Sequence, residues 1–166
     1  MTTERTLILN AEDIRIKIKR IALQIVENSI NEKEIVIAGI AKNGFILAKL
    51  IADDISEISD LKVQICEVRI DKKNPLNNVE ASLKPEAYKN KTLILVDDVL
   101  NSGSTLIYAC KHFLEVPLKQ FKTAVLVDRN HKKFPIKADF KGISLSTSLN
   151  EMVEVSFGNS PKAELY

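Results

Sequence analysis

Two periods of apolar and polar residues organise this chain. Ile14, Ile18, Ile21 and Ile25 recur at helical spacing behind Asn10, a good N-cap, so a helix is predicted from about Ala11 to Asn28. Ile35-Val36-Ile37-Ala38 is a continuous apolar run and reads as a buried strand. Gly39-Ile40-Ala41-Lys42-Asn43-Gly44 follows it, then a helix through about Ile55. Val63 to Ile70 alternates and reads as a strand. Thr92 to Val96 is predicted as the central strand, and Ser104 to Glu115 as a helix ended by Pro117. Ala124 to Val127 is a further buried strand, and a tail of short strands closes the pattern. Asp71 to Lys91 is polar, holds Pro75 and Pro85, and sustains no period; it is expected to form a mobile loop or small flap.

Buried strands alternating with helices imply an α/β fold, a central parallel sheet flanked by helices on both faces. At 166 residues the chain, 1–166, reads as a single domain. In such sheets ligands bind beyond the carboxyl ends of the strands, which puts Ala41–Gly44, Asp97–Thr105 and Asp128–His131 around one crevice. A net charge of +2 does not make the whole surface a trap for polyanions, so any nucleic-acid binding needs a local patch. The lack of Trp and the few aromatics argue against a stacking platform for single strands. Cys66 and Cys110 lie in apolar segments and read as buried thiols rather than a disulfide or metal pair. With no signal-like apolar region at the start and no run of bilayer length, a reducing cytoplasm and no membrane partner are expected.

The densest chemistry lies in TLILVDDVLNSGSTLIYA, Thr92 to Ala109. An apolar strand runs into two acids, Asp97 and Asp98, then into Asn101-Ser102-Gly103-Ser104-Thr105 and a helix start. The acids alone could be a polar strand end. Coupled to the small-residue loop, they suit a sugar hydroxyl pair beside a phosphate held by backbone N–H groups, hydroxyls and the helix dipole. Gly103 lets the backbone approach closely. Lys42, Asn43 and Gly44 read either as a plain strand-to-helix turn or as a second anion loop. Asp128 and Arg129 read either as an ordinary ion pair or as crevice residues. Basic residues recur on the first helix (Arg15, Lys19, Arg20) and late in the chain (Lys132, Lys137); a solvated face is the plain explanation.

The strand, acid pair and Ser-Gly-Ser-Thr loop resemble the phosphoribosyl-pyrophosphate (PRPP) motif of type I phosphoribosyltransferases. TAVLVDRNHKKFPIKADFKGISLSTSLNEMVEV resembles the C-terminal half of the pyrimidine-operon regulator/uracil phosphoribosyltransferase family. AEDIRIKIKRIALQI resembles that family's first helix, and VIAGIAKNGFILAKLIA its pyrophosphate-loop unit. The likeness covers nearly the whole chain except Asp71–Lys91 and overlaps more weakly with hypoxanthine-type purine enzymes.

The resemblance implies transfer of phosphoribosyl from PRPP to a nucleobase, uracil favoured, with release of pyrophosphate. It implies Mg²⁺ met indirectly by Asp97 and Asp98 through PRPP and water, and these acids on the ribose hydroxyls. It also implies the 5′-phosphate on Asn101–Thr105, the diphosphate on Lys42, Asn43 and Gly44, and the base beside Asp128, Arg129 and Leu149. Arg69 falls in the place of the family's flap. Arg15, Lys19, Arg20, Lys132 and Lys137 fall where the regulators face messenger RNA, and a homodimer is expected. The alternatives it leaves open are an RNA-binding regulator that senses nucleotides and a purine phosphoribosyltransferase. The chain departs from the family at Asn43, often Arg there, at Leu23, a family His, and at Ser104, where the phosphate loop usually has Arg. The flap region is also shorter.

Overall fold

The computed structural model describes residues 4–166. After a short strand β1 (Thr6–Leu9), Asn10 begins helix α1 (Ala11–Asn28) with a reciprocal cap. Its side chain accepts from the Asp13 N–H at 2.8 Å, and the Asp13 carboxylate accepts from the Asn10 N–H at 3.0 Å. The four isoleucines of its apolar stripe are all buried. Strand β2 (Glu34–Ile40), helix α2 (Asn43–Ile58) and strand β3 (Lys62–Arg69) follow. Then come β4 (Glu80–Ala81), the single turn α3 (Pro85–Tyr88), β5 (Thr92–Leu100) and α4 (Ser104–Phe113). The chain ends with β6 (Gln120–Asp128), β7 (Phe140–Ser144), β8 (Val153–Ser156) and β9 (Lys162–Leu165).

The main sheet has the order β4-β3-β2-β5-β6-β7 and is parallel apart from β4. Strand order runs outward from β2 in one direction and from β5 in the other. Their shared boundary is therefore the point where the loops above the sheet diverge and leave a crevice. One face of the sheet packs Ile35, Ile37, Ile94 and Val96 against α1 and α2. The other packs Val36, Leu93 and Leu95 against α4 and Tyr88. A second, antiparallel sheet β1-β9-β8 joins the two ends of the chain, with Thr6 opposite Leu165. Val153, Val155 and Ala163 sink into the same core as α1 and α2, so this hood is fixed to the main body. Arg5 links its strands on the outside, 2.7 Å from Glu154 and 3.1 Å from Glu164.

Four expectations change. The central strand does not stop at Val96: β5 continues to Leu100, pairing Val99 with Val127 and Leu100 with Asp128. The acids are therefore inside the strand. Each carboxylate accepts the next residue's N–H at 2.9 Å, and the alternation of faces breaks there, Val96 and Val99 joining the same core. Asp71–Lys91 is not one loop. Its second half is pinned by β4 and by Tyr88, buried edge-on against Phe113 with ring centroids 5.1 Å apart, and 71–79 is its longest stretch without helix or strand. Helix α4 ends at Phe113 rather than Glu115, because Leu114 leaves helical geometry as the Pro117 turn begins. Cys66 is buried, whereas Cys110 is only partly so; both thiols are free.

Tyr88→Ala empties an aromatic site in the core and should lower stability by about 3 kcal/mol in urea titration. Limited proteolysis of the native chain should cut within 71–79, and in Tyr88→Ala cutting should spread into 80–91. Equal protection of both segments in the variant would contradict the anchoring assigned to this ring.

Candidate active site

Above the boundary of β2 and β5 lies a cleft of about 270 Å³, lined by Asn43, Lys72, the stretch 97–106 and Val153–Val155. Asp97 lies at its floor, only 2% exposed. The first turn of α2 comes down directly on it. A Cβ on Gly44 would stand 2.7 Å from the Val96 carbonyl oxygen and 2.9 Å from the Asp97 Cα, so this crossing has no room for a side chain. The neighbouring Asn43 spans the cleft, its amide donating to Asp98 at 3.0 Å and to the Val155 carbonyl at 2.8 Å. One side chain thus ties α2, the acid pair and the hood together.

Burial, and then the adjacent Asp98 charge, push the Asp97 carboxyl up to about 8; the Lys72 ammonium, 3.7 Å from it, opposes the shift. An acid so placed gains strongly from any cation or hydroxyl donor that replaces its lost water.

The loop after β5 forms a nest. Gly103 takes a left-handed φ of 87°, and a Cβ there would meet Ile136 at 2.4 Å. The Ser102 hydroxyl accepts from the Ser104 N–H at 3.2 Å, and α4 starts at once with its free N–H groups toward the cleft. The segment after β6 braces this loop from behind. The Lys133 and Phe134 N–H groups donate to the Ser102 carbonyl at 2.8 and 3.1 Å. Asn101, Ser102, Gly103, Ser104 and Thr105 all line the cleft.

Several residues expected at the site lie elsewhere. Lys42 is exposed just before α2, and Gly44 lies behind Asp97 rather than in the cleft wall. Arg69 points outward and pairs with Glu67 at 3.3 Å; Lys72, three residues on, reaches the cleft instead. Leu149 is 82% exposed on a surface turn, so it forms no wall for a base. Asp128 is buried below the crevice, with Lys132 and Lys141 each 3.6 Å from its carboxylate. Arg129 is buried too, its guanidinium turned to Asn101 and the 147–152 turn and not to the cleft. The third expected loop therefore supports the crevice without lining it. Among the basic residues, Arg20 donates to the carbonyls of Lys141 and Gly142 at 3.1 and 2.5 Å, and Lys137 lies 3.5 Å from Asp139. Lys72 lies in the flap segment with Arg69, but it and not Arg69 reaches the cleft, and Val153–Val155 join the lining unexpectedly. The Val-Glu-Val alternation was a signal for the latter; a lysine in a polar loop gave none.

A doubly covered parallel sheet with an acid pair and a small-residue nest at its switch point is a framework for binding a ligand at the carboxyl edge of the strands. Comparison with known proteins gives the family. Residues 5–158 match the phosphoribosyl transferase domain. The chain is 33% identical to the bifunctional protein PyrR of Bacillus pumilus, over 98% of this chain and 96% of that one. It is 36% identical to the bifunctional protein PyrR of Clostridium novyi, over 91% and 89%. In fold it resembles the hypoxanthine phosphoribosyltransferase of Trypanosoma cruzi, with a TM-score of 0.74 at 18% identity over 89% and 84% of the two chains. The chain belongs to the phosphoribosyl transferase domain family and groups there with the bifunctional PyrR proteins. It is a PRPP-dependent phosphoribosyltransferase.

Two measurements test this geometry. Gly44→Ala should destabilise the protein by about 1–3 kcal/mol, because neither backbone at the α2–β5 crossing can yield to the new methyl; chemical denaturation reads it. The second concerns the Asp97 proton. At low pH folded and unfolded chains both hold it, and between the ordinary carboxylate range and about 8 only the folded chain does. Its contribution to stability is thus complete at low pH and lost as pH rises to about 8. Across that window wild type should lose up to about 1.4 kcal/mol per pH unit relative to Asp97→Asn. Parallel stability curves for the two would show that Asp97 holds no such proton.

Proposed function

We propose that the cleft transfers the phosphoribosyl group of PRPP to uracil, and that the carboxylate pair set against the phosphate nest carries this reading. The nest, Asn101 to Thr105, suits the 5′-phosphate through backbone N–H groups, hydroxyls and the α4 dipole. Asp98 and the buried Asp97 suit the ribose hydroxyls and the positive charge that develops at the anomeric carbon as its bond to pyrophosphate breaks. Asn43 and the first turn of α2 border the space for the diphosphate, with Lys72 as the nearest cation. A ring nitrogen of the base forms the new bond to the anomeric carbon, and pyrophosphate leaves with the bonding electrons.

Mg²⁺ fits this donor set. Two carboxylates offer hard oxygens, and no cluster of three or more potential protein ligands occurs among the described residues. Asp97 and Asp98 would hold it, through water and PRPP, where it would supply positive charge to offset that of the diphosphate.

In this reading the hood supplies the groups that read the base. Met152 and Tyr166 exchange both backbone bonds, at 2.8 and 3.0 Å. By alternation Val153 turns its N–H and C=O away from β9, toward the cleft, as Val155 does when its carbonyl accepts from Asn43. A free donor and acceptor on an edge strand suit the donor and acceptor edge of a flat base.

A cytoplasmic homodimer belongs to the same reading. The free thiols support the compartment, and exposed Ile16, Leu23 and Leu50 on α1 and α2 support a second copy. RNA binding is a second reading, favoured by the bifunctional relatives. Binding of pyrimidine-operon leader RNA at low salt, weakened by Lys137→Ala, supports it, and no binding at low salt removes it.

The deciding experiment is pyrophosphate release from PRPP and Mg²⁺ with uracil, hypoxanthine, guanine or xanthine. Turnover is expected with uracil; turnover with a purine alone would reassign the base. Asp97→Asn with Asp98→Asn should abolish turnover while the circular dichroism spectrum persists, and full activity in that double variant would sink the mechanism.

A further inference from the structure

Arg129 is 5% exposed, yet no carboxylate is bonded to it. Its guanidinium is bound instead to neutral acceptors from two separate segments, Asn101 and the 147–152 turn. Nη1 donates to the Asn101 side-chain oxygen at 2.9 Å, at the start of the phosphate nest, and lies 3.9 Å from the Met152 sulfur. Nε and Nη2 donate to the Thr147 hydroxyl at 3.2 and 3.1 Å. Nη2 also donates to the Ser148 carbonyl at 3.4 Å and to the Glu151 carbonyl. Every nitrogen of the fork is committed, and none is left for a ligand. The backbone is fixed as well, the Arg129 N–H donating to the Leu100 carbonyl at 3.1 Å.

The acceptors define what the side chain does. Asn101 opens the loop that holds one end of the cleft; Glu151 and Met152 lead directly into β8, which forms the opposite wall. Among the described residues no ladder bond joins these two walls, since β8 pairs there with β9, and β5 with β2 and β6. Asn43 crosses between them at the acid pair, and Arg129 crosses at the far end, beside the nest.

We infer that Arg129 is a positioning residue that sets the span between the phosphate nest and the free edge of β8, so that a nucleoside 5′-monophosphate engages both at once. The inference rests on the function proposed above but assigns Arg129 no contact with the base. Lysine cannot replace it, because a single ammonium cannot reach Asn101 and the 147–152 turn together.

Calorimetry with uridine 5′-monophosphate and with ribose 5-phosphate separates this role from general support of the fold. The second ligand uses the nest and the acid pair but does not reach the edge of β8. In Arg129→Lys, and in Thr147→Val, which keeps the arginine but removes its shared acceptor, affinity for the nucleotide should fall about tenfold or more. Affinity for ribose 5-phosphate should stay within about twofold, and the base KM should rise more than kcat falls. Thr147→Val keeps the test open if Arg129→Lys does not fold. Equal loss for both ligands, or no loss for either, overturns the positioning role while wild type still binds the nucleotide. Wild type that neither turns over nor binds the nucleotide overturns the proposed function and this inference with it.

Discussion

A carboxylate kept out of water inside a parallel sheet governs this molecule. Asp97 lies within β5 rather than beyond it, and each feature around it reduces or exploits the cost of that position. Gly44 has no side chain because helix α2 must begin against the acid. The Asp98 N–H donates to its oxygen, and Lys72 approaches from an otherwise irregular loop. Burial raises the Asp97 carboxyl despite the nearby Lys72, and this favours ligands that bring positive charge or hydroxyl donors. Binding and the destabilisation of the empty site are thus two results of one placement.

The cleft divides its labour between rigid and irregular parts. Its floor is sheet, one end is a helix start braced by the segment after β6, and its far wall is an edge strand with backbone groups to spare. Two long polar side chains, Asn43 and Arg129, hold the wall to the floor. Neither belongs to the strand ladders, so the width of the cleft depends on side-chain geometry rather than on sheet register. Catalysis by positioning requires this, since reacting groups displaced by a fraction of an ångström lose much of their advantage.

Local signals in the sequence carried most of the fold. Asn10 and the isoleucine stripe announced α1, the apolar runs announced β2, β5 and β6, and the acids with Ser-Gly-Ser-Thr marked the nest. The parts that were not legible depend on distant contacts. Nothing around Arg129 indicated that its partners lie in 147–152, and nothing distinguished Lys72 from Arg69 before the path of the loop was known. The resemblance put Leu149 beside the base, yet the turn it occupies carries it into solvent while Val153 and Val155 take the inner face. The irregular look of Asp71–Lys91 concealed an anchor, since one buried tyrosine has no period.

The hood has a further consequence for the order in which the molecule is made. Thr6 pairs with Leu165, and the wall facing the nest is completed only when β9 lies between β1 and β8. Domains begin to organise while the ribosome is still adding residues, and pairings between distant segments form late. The main sheet and its phosphate loop draw on residues up to 144 and precede the hood. A nascent chain therefore passes through a stage with the Asn101–Thr105 loop and no wall opposite it, and the cleft is finished only after residues 162–165 have emerged.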